Sequence, residues 1–259
     1  MLLAIDAGNT NVVVGVYDGP RRVHLWRAAT IRERTADEYA ALVTQWLAIE
    51  GVDRGAIADV AIATVVPRTL RDLRVFAEHI FHCTALVIGD DGVELGIRVL
   101  MDRPAEVGAD RLVNAVGAHM VHQGPLIVVD FGTATTFDVI DGDGNYRGGI
   151  ISPGINLSLD ALATATAKLP RIAVEAPPYV IGRDTVGAMQ SGIYWGYVGL
   201  IDGILGRIRA EFGAPMKAIA TGGLAPLFGS ATKSIDLVDP DITLRGLVEV
   251  YRRNRGSKA

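Results

Sequence analysis

Short apolar runs separated by polar turns open the chain. Residues 1–6, 11–19 and 21–30 are rich in β-branched residues or alternate between apolar and polar positions. Glycine, asparagine and proline stand between these runs, which is the chemistry of tight turns. The pattern predicts three consecutive strands joined as a meander.

A helical period replaces the strand pattern after residue 35. Thr35 is a candidate N-cap, and the apolar spacing predicts a helix over residues 36–51, where a glycine stops it. Beyond it, residues 59–66 are a candidate buried strand. A proline then opens a predicted helix over 68–81, and residues 84–89 form another short apolar strand.

The opening meander returns in the second half of the chain. The stretch "IDAGNTNVVVGVYDG" at residues 5–19 is followed, at residues 129–142, by "VDFGTATTFDVIDG". Repeats of this length are whole domains rather than the units of a solenoid. Three residue pairs align at a separation of 124 residues: Asp6 with Asp130, Gly8 with Gly132, and Asn11 with Thr135.

Each meander is followed by mixed helices and strands. In the second half the pattern predicts helices at 110–121, after Pro153, over 185–212 and from about Thr243, with a strand at 216–220. We therefore expect an α/β protein of two like domains around a central cleft. Their predicted bounds are 1–117 and 118–259, with the boundary in the region 117–125.

Composition and charge limit the kinds of molecule that the protein is expected to bind. The chain has 259 residues, a formal net charge of −4 and one cysteine, Cys83, so it cannot form an internal disulfide. An acidic chain lacks the basic face that nucleic acid binding requires, and the basic stretch 252–258 is better explained as a frayed tail. No apolar run is long enough for a bilayer. With no secretory pattern at the start, we expect a cytoplasmic protein with small-molecule ligands.

The two repeated turns are candidate phosphate sites. A strand that ends in aspartate and turns through glycine presents several backbone N–H groups in one concavity, and such a nest binds anions. Glycine lets a ligand approach the backbone closely, and nearby hydroxyl and amide side chains add donors. The alternative is a tight hairpin in which the aspartate only makes a local turn. One turn in each domain favours phosphate binding.

Two further features of the sequence are candidates for ligand contact or proton transfer. The stretch 221–223, Thr-Gly-Gly, follows a predicted strand and could let backbone lie against a nucleoside, although glycine pairs of this kind also occur for packing. Asp110 lies at a helix N-terminus and is a candidate acceptor of a hydroxyl proton. Its alternative role is a first-turn carboxylate that stabilises the helix dipole.

Taken in order, the motifs resemble a known enzyme family. From residue 4 to about 228 the chain reads "DAGNTN", "EVGADR", "DFGTATTFD", "GGIISPG", "IGRDTVGAMQSG" and "TGGLA", which is similar to type III pantothenate kinase. That family belongs to the actin, Hsp70 and sugar-kinase superfamily, built from ribonuclease-H-type domains. The resemblance implies ATP-dependent phosphorylation of pantothenate to 4'-phosphopantothenate, the first step of coenzyme A biosynthesis.

The resemblance also implies roles for individual residues. Asp110 accepts the hydroxyl proton, Asp6 lies with Mg²⁺ and ATP, and Asp130 holds a monovalent cation, K⁺ or NH₄⁺. The implied ATP and phosphate contacts are Asp6, Ala7, Gly8, Asn9, Thr10, Asn11, Val12, Val13, Gly132, Thr133, Thr135, Gly222 and Gly223.

The implied pantothenate contacts are Met101, Gly108, Ala109, Asp110, Arg111 and Thr185. Met101 departs from the family, which has tyrosine near this position, so a phenolic hydrogen bond to the substrate is lost. In the family the threonine at the position of Thr185 reaches pantothenate from the neighbouring subunit, which implies a homodimer. From the residues alone, Thr185 could equally be the cap of the following helix.

Two other functions fit the same residues. One is a kinase of this superfamily that acts on another small hydroxy compound. The other is a nucleotide-binding regulatory protein, similar to the accessory factors among the relatives of this family, which has lost turnover. Walker A and dinucleotide-binding glycine motifs are absent from the sequence, so other nucleotide folds lose support.

Overall fold

A computed structural model describes residues 1–166 and 169–255 and divides them into two compact units. Unit 1 contains Met1–Val121 and the segment that begins at Asp241, and unit 2 is His122–Pro240. Each unit is built on one five-stranded sheet. The α/β class and the pair of like domains predicted from the sequence are confirmed.

The sheet of unit 1 has the order β3-β2-β1-β4-β5. The first three strands form the predicted antiparallel meander, and the last two run parallel to β1. The elements of unit 1 are β1 (Leu2–Ala7), β2 (Asn11–Asp18), β3 (Arg21–Ala29), α1 (Ala36–Ile49), β4 (Asp59–Thr64), α2 (Pro67–Phe81), β5 (Leu86–Val87) and α3 (Ala109–His119), together with the C-terminal helix (Ile242–Arg255) described below.

Alternate side chains of β1 pack against helices on opposite faces of the sheet, so unit 1 has three layers. Leu3 and Ile5 are fully buried in the core formed with α1 and α2. Leu2 and Ala4 point to the opposite face and pack in a second core with α3 and the C-terminal helix. Side chains alternate between the faces of a strand, so one short sequence serves both layers.

Local signals place the helix starts of unit 1 as predicted. Thr35 caps α1 in a capping box: its hydroxyl accepts from the Glu38 N–H, and the Glu38 carboxylate accepts from the Thr35 N–H at 2.7 Å. Pro67 is the first residue of α2. The predicted strand at 84–89 covers only Leu86–Val87, and at its end the Asp90 N–H closes a turn on the Val87 carbonyl.

The sheet of unit 2 repeats the order of unit 1, with β8-β7-β6-β9-β10 in the corresponding places. Its largest core lies between the sheet and the long helix α5, with Phe228 of α6 fully buried in it. The elements are β6 (Leu126–Phe131), β7 (Ala134–Ile140), β8 (Tyr146–Pro153), α4 (Ile155–Ala165), α5 (Thr185–Phe212), β9 (Lys217–Gly222), α6 (Ala225–Gly229) and β10 (Leu237–Val238).

The pairing of the strands shows how closely the two copies of the repeat correspond. Ala7 pairs with Val12 in unit 1, whereas Phe131 pairs with Thr135 in unit 2, so the second turn is one residue shorter. The predicted alignment of Asn11 with Thr135 is therefore wrong beyond the turn, and Val12 is the true counterpart of Thr135. The irregularity after Val16 in β2 recurs at the matching place in β7, so the repeat extends past the shortened turn.

The C-terminal helix α7 (Ile242–Arg255) belongs to unit 1, although the predicted division assigned it to the second domain. It crosses α3 at two glycines, and a Cβ on Gly117 would lie 2.1 Å from the Ile242 carbonyl oxygen. A Cβ on Gly246 would lie 1.8 Å from the Val113 carbonyl oxygen. Backbone-to-backbone packing of this kind explains why a segment remote in sequence joins unit 1.

The basic end of the chain differs from the frayed tail that we predicted. Residues 252–255 form the last turn of α7, and Arg252 and Arg253 both pair with the Glu249 carboxylate at 2.8 Å. Burial alone would raise the pKa of Glu249, but the hydrogen bonds and charges of Arg252 and Arg253 together outweigh it and lower that pKa. Residues 256–258 lie outside the described part of the chain.

Candidate active site

The first glycine turn joins β1 to β2 through three residues, Gly8, Asn9 and Thr10. The Gly8 N–H donates to the Asn11 carbonyl at 2.9 Å and closes the turn. Asn9 and Thr10 are exposed. A turn of this shape at the end of a strand suits an anion.

Two threonines that the sequence interpretation missed hold this turn. The Thr64 hydroxyl, at the end of β4, donates to the Ala7 carbonyl at 2.9 Å. The Thr30 hydroxyl, just after β3, donates to the Gly8 carbonyl at 2.7 Å. Neither partner is close in sequence, so a local motif search had no signal for them. Their positions at strand ends follow from strand order alone.

Asp6 is the last but one residue of β1 and is half-buried. Its partners in register are Val13 on β2 and Ala63 on β4. Because Asp6 shares the strand face of Leu2 and Ala4, its carboxylate lies on the side of sheet 1 that α3 covers. The turn and this aspartate therefore present donors and a negative charge at one end of the sheet.

Asp110 lies in the first turn of α3, whose N-cap is Gly108. A Cβ built on Gly108 would be 3.2 Å from the Val65 side chain, which directly follows β4. Because β4 runs parallel to β1 and Ala7 pairs with Thr64, the start of α3 lies at the same end of sheet 1 as the first turn. Unit 1 thus brings Asp6, the turn and Asp110 to one edge.

The carboxyl group of Asp110 is held and desolvated. Its Oδ1 accepts from the Arg111 N–H at 2.8 Å, and a Cβ on Gly108 would lie only 2.6 Å from that oxygen. Burial raises the pKa of Asp110 above its usual value, while the Arg111 N–H and the Arg111 charge lower it. A raised pKa makes a carboxylate a better proton acceptor.

The other candidate substrate residues surround Asp110 in the sequence. Ala109 is buried in the α3 and α7 core, so only its backbone is available to a ligand. Arg111 is half-buried. Met101 is 37% exposed, in the irregular segment that precedes α3.

The second glycine turn is tighter than the first. Only Gly132 and Thr133 separate β6 from β7, and the Gly132 N–H donates to the Ala134 carbonyl at 3.0 Å. Both residues are exposed. Gly154 packs beneath them, because a Cβ there would lie 2.2 Å from the Thr133 carbonyl oxygen.

Asp130 stands in unit 2 where Asp6 stands in unit 1, and a glycine flanks it. Gly222 has a left-handed φ of +91°, and a Cβ there would lie 2.7 Å from Asp130 Oδ1. The predicted turn at 221–223 needs correction, since Thr221 and Gly222 complete β9 in register with Asp130 and Phe131. Gly223 alone lies beyond the strand and is exposed.

Thr135 does not present its hydroxyl at the second turn. Its side chain is 1% exposed, and its Oγ1 lies 2.6 Å from the Tyr197 hydroxyl in the core of unit 2. The shortened turn is the reason: register pairs Thr135 with core-facing Phe131 and Thr136 with Asp130. The sequence interpretation counted the Thr135 hydroxyl among the donors at the second turn, and in the structure that hydroxyl contacts Tyr197 instead.

Thr185 is the first residue of α5 and is exposed. The N-cap is Asp184, whose Oδ1 accepts from the Gly187 N–H at 2.8 Å, so the alternative role of Thr185 as the cap is wrong. Thr185 borders a groove of about 460 Å³ between α4 and α5. Apolar side chains form most of the lining: Leu162, Leu169, Ala188, Met189 and Ile193.

Two kinds of feature are absent from residues 1–166 and 169–255. No helix in these ranges combines the length and the apolar character needed to cross a bilayer. The same ranges contain no group of three or more His, Cys, Asp or Glu side chains placed to hold a metal ion.

Comparison with known proteins decides the family. The model of the type III pantothenate kinase family matches residues 2–207. The type III pantothenate kinase of Paramagnetospirillum magneticum is 62% identical over 254 residues, covering 98% of each chain. That of Rhodospirillum rubrum is 58% identical over 255 residues, covering 98% of this chain and 99% of the relative. The chain belongs to the type III pantothenate kinase family.

Membership of this family makes the chain a kinase, with pantothenate as the phosphoryl acceptor in coenzyme A biosynthesis. A kinase reaction requires ATP and a divalent metal ion. The comparisons do not favour the regulatory protein or a kinase for another compound, because the matching relatives carry one name over nearly the full chain.

Solved structures agree on the fold. The activator of 2-hydroxyisocaproyl-CoA dehydratase from Clostridium difficile, determined with bound ADPNP, matches with a TM-score of 0.56 at 12% identity, over 99% of this chain and 96% of that one. A ROK hexokinase from Thermus thermophilus matches with a TM-score of 0.51 at 14% identity, over 98% and 99% of the two chains. At these identities the likeness concerns the fold alone.

Proposed function

We propose that the chain transfers the γ-phosphoryl group of ATP to the hydroxyl of pantothenate, with Asp110 as proton acceptor. One observation supports this assignment above the others: in unit 1, the first turn, Asp6 and the start of α3 lie at the same end of the sheet. Phosphoryl transfer needs a phosphate cradle, a cation and a group that orients the attacking hydroxyl.

In each unit the proposed phosphate contacts are backbone N–H groups. In unit 1 they belong to the turn and the start of β2, with Ala7, Val12 and Val13 contributing only their backbone. In unit 2 they belong to Gly132 and Thr133, whereas the buried Thr135 hydroxyl takes no part. Gly222 and Gly223 are the proposed contacts of the adenosine, because a glycine backbone allows close approach.

The donor atoms of unit 1 suit Mg²⁺. This ion is held through one or two carboxylates together with substrate phosphates, and Asp6 offers a half-buried carboxylate beside the turn. When bound, the ion neutralises charge on the transferring phosphoryl group.

Asp130 is the proposed ligand of K⁺ or NH₄⁺. Its Oδ1 and the Phe131 carbonyl oxygen each lie 2.7 Å from the point that a Cβ on Gly222 would occupy. Hard monovalent cations bind carboxylate and carbonyl oxygens of this kind. The cation is proposed to offset the negative charge of the phosphates at the second turn.

Asp110 orients the pantothenate hydroxyl and takes its proton as the O–P bond forms. In a loose transition state the proton leaves late, so orientation contributes more than basicity. Arg111 is proposed to bind the pantothenate carboxylate, since guanidinium groups pair well with carboxylates. Gly108 and Ala109 contribute backbone, and Met101 contributes an apolar contact.

A homodimer is part of the proposal. Several apolar side chains near Thr185 are strongly exposed: Tyr179 by 68%, Val180 by 66%, Ile181 by 82% and Val186 by 42%. Exposed apolar groups beside an apolar groove favour protein contact. We place Thr185 against the pantothenate of a second copy, and we place the enzyme in the cytoplasm.

The test uses purified full-length protein, pantothenate, ATP and Mg²⁺, with ADP release and phosphopantothenate as readouts. Asp110→Asn should lower kcat by about 10²- to 10⁴-fold. Burial raises the pKa of Asp110, so its ionised form costs folding free energy at neutral pH, and the neutral amide should leave Tm unchanged or higher.

The matched control is Asp37→Asn, which removes an exposed carboxylate from the first turn of α1. If Asp110 only stabilised its helix, the two variants would behave alike, with small losses of Tm and normal turnover. Replacing K⁺ with Na⁺ tests the cation separately: turnover that does not change would contradict the role given to Asp130.

A further inference from the structure

Thr30 contacts the first turn at two places. Its N–H donates to the Thr10 carbonyl at 2.9 Å, and its hydroxyl donates to the Gly8 carbonyl at 2.7 Å. Thr30 follows the last residue of β3 and is half-buried. One residue therefore binds both ends of the turn.

These two contacts fix the direction of two N–H groups. In a planar trans peptide the carbonyl and the N–H of the same unit point in opposite directions. The Gly8 carbonyl belongs to the peptide of the Asn9 N–H, and the Thr10 carbonyl to that of the Asn11 N–H. Because both carbonyls point toward Thr30, the N–H groups of Asn9 and Asn11 both point away from it.

Thr64 supports the neighbouring peptide. Its hydroxyl donates to the Ala7 carbonyl at 2.9 Å and accepts from the Val66 N–H at 3.1 Å, so it joins the end of β1 to the start of α2. These two hydrogen bonds make Thr64 part of the framework of unit 1. Thr30 acts on the turn itself, beyond that framework.

Unit 2 achieves the same arrangement without a hydroxyl. The counterpart of Thr30 is Gly154, whose N–H donates to the Thr133 carbonyl at 3.1 Å. A Cβ on Gly154 would lie 2.8 Å from the Gly132 carbonyl oxygen, so the turn rests directly on backbone. The hydroxyl contact is thus specific to the first turn.

We propose that Thr30 is a positioning residue for the phosphate donor, its hydroxyl aiming the Asn9 N–H at the nucleotide phosphates. The inference rests on the proposed function, in which the first turn binds ATP. Thr30 does not touch the substrate. Its loss lets the Gly8–Asn9 peptide rotate, so phosphate binding weakens while pantothenate binding does not change.

The experiment compares Thr30→Val, which removes the hydroxyl at nearly constant volume, with Thr30→Ser, which keeps it. Steady-state kinetics give KM for ATP and for pantothenate separately, and thermal unfolding gives Tm. The valine variant should raise KM for ATP by about 3- to 10-fold, the effect of one lost hydrogen bond. KM for pantothenate should stay within about 2-fold, and the serine variant should restore the wild-type value.

Thr44→Val is the matched control. The Thr44 hydroxyl also donates to a backbone carbonyl, that of Ala40 in α1, and has no connection with the turn. A lower Tm for Thr30→Val with both KM values unchanged, as in the control, would overturn the inference. If the valine variant does not fold, Thr30→Ala provides the same comparison.

Failure of the proposed function has a different signature. Wild-type protein that forms no phosphopantothenate from ATP, or an Asp6→Asn variant with normal KM for ATP, would refute the role of the first turn itself. If Asp6→Asn impairs ATP use and Thr30→Val does not, the turn binds phosphate and the positioning role of Thr30 is wrong.

Discussion

The two glycine turns have the same place in the same sheet topology, yet they are held in different ways. The first has three residues; the Thr30 hydroxyl bonds the Gly8 carbonyl within it, and the Thr64 hydroxyl bonds the Ala7 carbonyl just before it. The second has two residues and lies against Gly154, while Gly222 packs against Asp130 and Phe131 at the end of the preceding strand. A hydrogen-bonded support loses about 0.5–1.5 kcal/mol when its hydroxyl is removed, whereas a close-packed glycine tolerates no added atom.

Glycine occurs in and around the two turns for two different physical reasons. A Cβ on Gly8 would lie 3.5 Å from the nearest heavy atom, the Asn11 carbonyl oxygen, and one on Gly132 would lie 3.4 Å from the Ala134 carbonyl oxygen. Both are ordinary contacts, so packing does not require glycine within the turns. Close approach of a ligand to the backbone is the remaining physical reason. Gly154 and Gly222, in contrast, are required by packing.

The largest effect is expected for Gly154→Ala. Its Cβ would lie 2.2 Å from the Thr133 carbonyl oxygen, so the second turn must move. We expect the free energy of unfolding to fall by about 3–4 kcal/mol and activity to be lost, as for other strong steric conflicts. Chemical denaturation measures the change. A variant with wild-type stability would show that the turn is not pressed against Gly154.

Gly222→Ala should cost somewhat less, about 2–3 kcal/mol, through left-handed backbone strain and contact with the Asp130 carboxylate. The adjacent Gly223→Ala is the control, because a Cβ there meets open space. Denaturation curves for both variants measure the outcome. Equal stabilities for the two variants would contradict the close packing of Gly222 on Asp130.

Gly8→Ala tests the opposite case, a glycine that packing does not require. The added methyl group meets no close atom, so the free energy of unfolding should change by less than about 0.5 kcal/mol. KM for ATP should nevertheless rise by about 10-fold or more, because the methyl group stands where phosphate approaches the backbone. Isothermal titration with a non-hydrolysable ATP analogue provides the direct measurement. Unchanged affinity would mean that no ligand approaches Gly8.

The smallest effect is expected for Thr135→Val, which removes a hydroxyl 2.6 Å from the Tyr197 hydroxyl. We expect a loss of about 1 kcal/mol in stability and no change in KM for ATP. Tyr197→Phe is the paired control, since Tyr197 also donates to the Pro153 carbonyl at 2.8 Å. A raised KM for ATP in the threonine variant alone would restore Thr135 to the phosphate site.

Much of the candidate site could be predicted from the sequence. Both aspartates at strand ends, both glycine turns and the start of α3 lie where the pattern predicted them, because strand periodicity and turn residues are local signals. Asp110 was a candidate proton acceptor from its position alone, and the resemblance to the family favoured that role over helix stabilisation. Roles for Arg111 and Thr185 came from the resemblance. Their chemistry remains a proposal that the experiments above test.

Periodicity, capping residues and the repeated motif were thus enough to give the elements and the duplicated architecture, and the family came from the resemblance of the ordered motifs. Tertiary structure alone decided the register, the supports of the turns and the place of α7. A turn one residue shorter moves every following side chain to the other strand face, which is how Thr135 became a core residue. Thr30 and Thr64 reach the first turn, and Gly246 reaches α3, only because strand order and helix packing bring distant segments together.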